Sequence, residues 1–177
     1  TSHRNIVRED GTVDSTTARV SRAVYSHRAL NDIVVNAGDP FRMIELQVYV
    51  NGQAATRFSG DGLVISTSSG STGYNLSAGG PLITPEVHAI VLTPICAHSL
   101  SFRPVLVSDA ATSIVQPRRV NAGTRVSFDG LNPQPMTGQD ALVIRRAVRP
   151  LKLVEHPQMS HWQRLASKLL WSQTSWN

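Results

Sequence analysis

Residues Met43 to Val50 alternate strictly, with Ile44, Leu46, Val48 and Val50 on one side and Glu45, Gln47 and Tyr49 on the other, and Asn51–Gly52 follows at once. A period of two marks a strand with one buried face. Asn-Gly supplies the two positive-φ positions of a tight hairpin turn, so Gln53 to Phe58 is expected to return as the partner strand. Further short apolar runs recur at Ala18–Tyr25, Ile33–Val35, Leu63–Ser66, Ala89–Thr93, Val105–Val107, Ser113–Val115, Arg125–Phe128 and Ala141–Arg146. Turn formers separate them: Asn36, Gly38 and Pro40, then Pro117, then Asn121 and Gly123, and finally an expected loop from Asp129–Gly130 through Pro133, Pro135 and Gly138. Arg4 to Val13 fits an opening strand and turn. Short strands at this spacing predict a mainly β fold, an antiparallel β-sandwich-like domain.

Two helices interrupt the pattern. A short one is expected from Thr72 or Gly73 to Gly79–Gly80–Pro81, where glycine permits a left-handed cap and proline forbids continuation. The second follows Pro157, with Ser160 and Gln163 spaced as a capping box, in a C-terminal helical extension over residues 155–177. Its stripe of Met159, Trp162, Leu165, Ala166, Leu169 and Leu170 needs a partner. Packing within this domain and docking on another domain are both open at this point.

A chain of 177 residues suits one domain with one core. It contains no run of about twenty apolar residues and no apolar leader segment, so the expectation is a soluble, cytoplasmic protein without a membrane partner. Cys96 is the single cysteine, which excludes an internal disulfide and a cysteine-based zinc cluster; a small buried side chain is expected there. The charge of +5 comes from fifteen arginines and only two lysines, Lys152 and Lys168. The arginines are scattered and not interleaved with aromatics, so no specific nucleic-acid partner is expected.

The segment Phe58 to Pro81 reads FSGDGLVISTSSGSTGYNLSAGGP: a strand, a loop of small hydroxyl residues and glycine, then a helix start. Such a loop lets backbone N–H groups approach a ligand closely. Taken alone it is equally compatible with an ordinary surface connection.

The order of residues is more specific. Gly60–Asp61–Gly62, Ser66–Thr67, Gly70–Ser71–Thr72, Tyr74 and Ser77–Ala78–Gly79–Gly80–Pro81 together resemble the NAD kinase pattern. ALND (Ala29–Asp32), LTPICAHSLSFRP (Leu92–Pro104), VSFDG (Val126–Gly130) and the final helix with Trp171 extend the resemblance over nearly all of residues 29–171. The chain departs from the family where Ser68 and Gly73 replace proline and alanine, and where Asp32 replaces glutamate.

The resemblance implies a set of roles. Asn31 and Asp32 would meet the adenosine end of NAD; Ser69, Thr72, Gly73, Tyr74 and Ser77 would line the adenine and ribose pocket. Asp61 would receive the nicotinamide carboxamide, in this family commonly across a subunit boundary, so a homo-oligomer is expected. Asp129 and Gly130 are a turn or a lip of the nucleotide site, and Arg103 anchors a loop or approaches phosphate. His98, with no carboxylate or nucleophile at a telling spacing, reads as structural. The reaction implied is phosphorylation of NAD to NADP, with ATP or polyphosphate and a divalent cation such as Mg. Its catalytic residues lie in a GGDGT-bearing N-terminal α/β domain, and no GGDG occurs in these residues. The chain therefore reads as a single C-terminal NAD-binding domain, residues 1–177, inactive alone, with NAD or NADP and the N-terminal kinase domain as partners. A non-catalytic nucleotide-binding or oligomerisation module is the alternative.

Overall fold

The computed structural model describes residues 2–8, 22–99, 101–154 and 158–171. Twelve strands are present among these: β1 (Ser2–Arg8), β2 (Arg22–Ala29), β3 (Asp32–Asn36), β4 (Ile44–Val50), β5 (Gln53–Gly60), β6 (Gly62–Thr67), β7 (Ala89–Ile95), β8 (Val105–Ser108), β9 (Ser113–Arg119), β10 (Arg125–Phe128), β11 (Leu131–Pro135) and β12 (Asp140–Arg146). A 3-10 turn (Ser69–Thr72) leads into a single-turn helix, α1 (Tyr74–Ser77), and α2 spans His161–Lys168. The strands form two six-stranded sheets, ordered β2-β1-β12-β9-β4-β5 and β11-β10-β3-β6-β7-β8, with antiparallel pairing throughout. The expected antiparallel sandwich is what the chain adopts.

The core follows from the period-two patterns. Ile44, Leu46, Val48, Phe58, Val115, Leu142 and Ile144 of the first sheet pack with Ile33, Val35, Leu63, Ile65, Leu92, Val126 and Phe128 of the second. Each such aliphatic side chain, moved fully from water, contributes about 1.5–3 kcal/mol. Asn51 and Gly52 take positive φ, 50° and 79°, and β4 pairs with β5 from Val50↔Gln53 onward, as the turn dipeptide predicts. Tyr49 is the exception to simple alternation: it points away from the main core but is buried in a second cluster with Ile114, Ala141 and Val143.

Strands β3 and β6 are buried on both faces. The second face of β6 lies beneath α1, which a polar network secures. Asn75, fully buried, donates from Nδ2 to Ser71 O (3.1 Å) and Pro81 O (2.9 Å) and accepts from Thr93 Oγ1 at 2.7 Å. Ser71 Oγ accepts from Ile83 N at 3.1 Å. With every polar atom of the Asn75 amide oriented by partners, this network fixes the Ser/Gly-rich segment to β7.

Several expectations require correction. The loop expected after Gly130 is strand β11, at the edge of its sheet. Asp129 (φ 50°) and Gly130 (φ 73°) make a tight turn, and an edge strand tolerates Pro133 and Pro135 because one side of its backbone needs no sheet partner. Cys96 is exposed, not buried, because it ends β7 in a left-handed turn (φ 46°) that points it outward. The run expected at Ala18–Tyr25 is strand only from Arg22, and residues 18–21, like residues 9–13, lie outside the described residues.

Helix α2 carries its capping box: Ser160 Oγ accepts from Gln163 N at 3.2 Å, and Gln163 Oε1 accepts from Ser160 N at 2.8 Å. Residues 155–157 and 172–177 of the expected extension lie outside the described residues. Of the apolar stripe, Leu165 is buried, whereas Trp162 is 62% exposed and Met159 45%. No helix among the described residues is long and apolar enough to cross a membrane.

Candidate functional site

The centre of the site is the two-residue turn between β2 and β3. Asp129, from the β10–β11 turn, directs its carboxylate at three successive backbone donors: Leu30 N (2.8 Å), Asn31 N (2.7 Å) and Asp32 N (3.0 Å). Its own N–H donates to Asp32 O at 3.0 Å. From the other side Thr67 N donates to Asn31 O at 2.9 Å, and Thr67 Oγ1 donates to Leu30 O at 2.6 Å. Gly70 passes so close that a Cβ there would stand 2.1 Å from Asn31 O. The backbone of Asn31 is thus held from both sides, while its side chain is displayed at the surface with Ser69 Oγ 3.4 Å from its Oδ1.

Asn31, Asp32, Tyr74, Asp129 and Gly130 line one cavity, with Val34, Asn36 and Ser127 as its floor on the outer face of the β3–β10 pair; its volume is about 430 Å³. Tyr74, 46% exposed, offers an apolar ring face and a polar edge at the rim. The wall is rich in acceptors and the floor is partly apolar, a combination that suits a sugar and a planar base.

The remaining residues named from the sequence are placed differently. Thr72 closes the 3-10 turn and lines a neighbouring recess of about 230 Å³ with His161, Arg164, Leu165 and Lys168. Gly73 and Ser77 are exposed on α1 and its approach. Asp61 is well removed. It sits between β5 and β6, its N–H on Ile95 O (2.9 Å) and its carbonyl accepting from Ala37 N (2.8 Å). With strands rising about 3.3 Å per residue, the length of β3 separates it from Asn31 by roughly 16 Å. Gly62 lets it reach that position, since a Cβ on Gly62 would stand 2.2 Å from Val35 O. The Asp61 carboxylate faces Cys96, accepting the thiol's hydrogen bond and repelling a thiolate, and both effects push the Cys96 thiol pKa up. His98 is exposed, its N–H donating to Ser59 O at 2.8 Å.

Sequence reasoning did not single out Thr67, Gly70, Ser71, Asn75 or Thr93 for the work they do. Asn75 carried the clearest signal: an asparagine within a helix start, just before Gly-Gly-Pro, is a residue type that caps backbone groups. Among the described residues no group of three or more His, Cys, Asp or Glu side chains is arranged to hold a metal ion.

The Asn31 turn, Tyr74 and the Asp129–Gly130 turn thus converge on one cavity of a two-sheet β domain, the concave kind of site that binding domains present. Residues 30–156 match the ATP-NAD kinase C-terminal domain family, and the chain belongs to that family. It is 38% identical over 156 residues to an NAD kinase of Magnetococcus marinus, covering 88% of this chain and 52% of that protein. It is 40% identical over 144 residues to an NAD kinase of Syntrophotalea carbinolica, covering 81% and 50%. The chain thus spans about half the length of these curated relatives. Among solved structures, yeast NADH kinase complexed with NADH superposes with a TM-score of 0.69 at 29% identity, over 83% of this chain and 40% of that one. The Archaeoglobus fulgidus NAD kinase in complex with ATP also gives 0.69, at 27% identity, over 80% and 54%.

Proposed function

We propose that this chain is the acceptor-binding domain of an NAD kinase, which transfers a terminal phosphoryl group to the 2′-hydroxyl of the adenosine ribose of NAD and so makes NADP. The observation that carries this reading is the immobilised Asn31 turn. Asp129 and Thr67 hold its backbone, and its side-chain amide stands beside Tyr74 at the cavity mouth. An amide both donates and accepts, as recognition of a nucleoside requires. In this reading Asn31, Asp32, Ser69, Thr72, Gly73, Tyr74 and Ser77 receive the adenosine half, and Asp129 and Gly130 act by holding the turn. Asp61 receives the nicotinamide carboxamide. Its distance from Asn31 supports its serving a site shared with a second copy, hence a homo-oligomer. A cytoplasmic setting goes with this reading.

The chain's contribution is to bind and orient the acceptor. ATP or polyphosphate, with a divalent cation, would supply the phosphoryl group, and no step of transfer is assigned to this chain's residues. The phosphate cradle and the base are assigned to a separate GGDGT-bearing domain, and positioning of both reactants is what such chemistry depends on.

Calorimetry with NAD, ADP, diacylglycerol and duplex DNA tests the assignment, paired with an assay for NADP. NAD is expected to bind and to raise the melting temperature, and the chain alone is expected to make no NADP with ATP and Mg. Adding the GGDGT-bearing domain should restore turnover. Tight sequence-specific DNA binding without any NAD effect would overturn the reading. NADP formed by the purified chain, free of full-length kinase, would overturn the division of labour; NAD binding with no turnover on adding the second domain would favour a non-catalytic module.

A further inference from the structure

The second recess, beside Thr72, plays no part in the assignment above. Helix α2 presents His161, Arg164 and Lys168 along the face that meets Thr72, and the buried Leu165 on the same face pins the helix there. Lys168 Nζ donates to Thr72 Oγ1 at 2.8 Å. Arg164 Nη1 donates to Met159 O at 2.8 Å. A threonine hydroxyl has one proton and two lone pairs. An ammonium has only protons to give, so Lys168 occupies a lone pair and leaves the Thr72 proton to point away from it. Among the described residues no protein acceptor takes that proton.

We infer that Lys168 is a positioning residue for the nucleotide: it fixes Thr72 as a hydrogen-bond donor toward the ligand and ties the 3-10 turn that carries Ser69 and Thr72 to helix α2. The inference rests on the proposed adenosine site. An ammonium polarises the hydroxyl it donates to and strengthens the bond that hydroxyl makes in turn. The Thr72 proton is thereby offered to an acceptor on the ligand, a ring nitrogen or a ribose oxygen. The same link makes the pose of α2 part of the site, although Thr72 lines the recess beside the helix and neither it nor any helix residue lines the 430 Å³ cavity.

The test is calorimetric titration of NAD and of adenosine into the 177-residue chain, with the melting temperature recorded for each variant. Lys168→Met is expected to weaken both ligands roughly two- to tenfold, the range of one hydrogen bond, with little change in melting because Lys168 is exposed. Lys168→Arg should recover most of the loss. In a Thr72→Val background, Lys168→Met should have no further effect, since no hydroxyl remains to orient. Asn31→Ala serves as the control for the site itself. Unchanged affinity in Lys168→Met while Asn31→Ala weakens NAD would overturn the role of Lys168 and leave the site standing; no loss in Asn31→Ala would remove the site and the inference with it. A loss confined to phosphate-bearing NAD, or one that persists in full without the Thr72 hydroxyl, would mean direct charge contact and would also overturn it.

Discussion

The carboxylate of Asp129 lies 2.7 Å from the backbone N–H of Asn31, a residue 98 positions earlier in the chain. That bond is one of three, since the N–H groups of Leu30 and Asp32 point at the same carboxylate. The turn that displays Asn31 crosses from β2 of one sheet to β3 of the other and is held by a side chain from the β10–β11 hairpin.

Replacing Asp129 by asparagine isolates this effect, because asparagine also tolerates the left-handed backbone at φ 50°. One acceptor oxygen would remain for three donors. Asp129→Asn is expected to cost about 1–3 kcal/mol of stability, the penalty for part-buried donors left unpaired, and to weaken NAD binding. Urea unfolding and NAD titration check this; full NAD affinity in the variant would mean that the turn keeps its shape without the carboxylate.

Gly70 presses on the same turn from the opposite side. Gly70→Ala must displace Asn31, because the new methyl would stand 2.1 Å from its carbonyl oxygen. A loss of about 1–3 kcal/mol is expected from such overpacking, together with weakened NAD binding. Gly138, with open space at its Cβ position, supplies the comparison, and Gly138→Ala should match the parent in both assays.

The pairing of Asp61 with Cys96 gives a prediction in pH. A thiol whose pKa is raised holds its proton to higher pH, so at a given mildly alkaline pH less of the reactive thiolate is present than in a free cysteine. Iodoacetamide should therefore modify Cys96 slowly despite its exposure, with the rate rising only at higher pH. Asp61→Asn removes the repulsion and should speed the reaction. Equal rates in parent and variant between pH 7 and 9 would show that the carboxylate has no hold on the thiol.

The proposed role of Asp61 at the nicotinamide end gives a further prediction. Asp61→Ala is expected to weaken NAD while leaving adenosine and AMP nearly untouched, because Asn31 and Asp61 stand at opposite ends of β3. A parallel loss for all three ligands in calorimetry would assign Asp61 to the turn between β5 and β6 rather than to a ligand.

How far the sequence could be read depended on the range of the interaction. The β4–β5 hairpin was legible because its evidence is contiguous: alternation and Asn-Gly are local signals. Strand β11 was not, since Pro133 and Pro135 argue against a strand until Asp129–Gly130 is seen to turn the chain back along a sheet edge. Cys96 was misplaced for the same kind of reason, as composition says buried while a left-handed turn at the end of β7 says exposed. At the candidate site, the order GDG to SAGGP drew attention to a segment that packs against the Asn31 turn, through Thr67 and Gly70. The hold of Asp129 on Leu30, Asn31 and Asp32 was beyond it, because the partners are nearly a hundred residues apart and a Phe-Asp-Gly string looks like an ordinary turn. The bond between Lys168 and Thr72 was hidden similarly, with α2 readable as an apolar stripe but its polar face aimed by tertiary packing.

Strand β1 lies between β2 and β12, and its register runs from Ser2 opposite Arg146 to Arg8 opposite Asp140. During synthesis β1 thus acquires its second neighbour only when residues 140–146 have also emerged. Until then β1 and β2 amount to a two-stranded ribbon, which is marginal in water. Closure of that sheet is a late, long-range event, and such pairings are slow and open to wrong partners while they wait. Shortened forms that stop before Asp140 should accordingly accumulate as insoluble protein, even though the turn carrying Asn31 and the whole Ser/Gly-rich loop would already have been made.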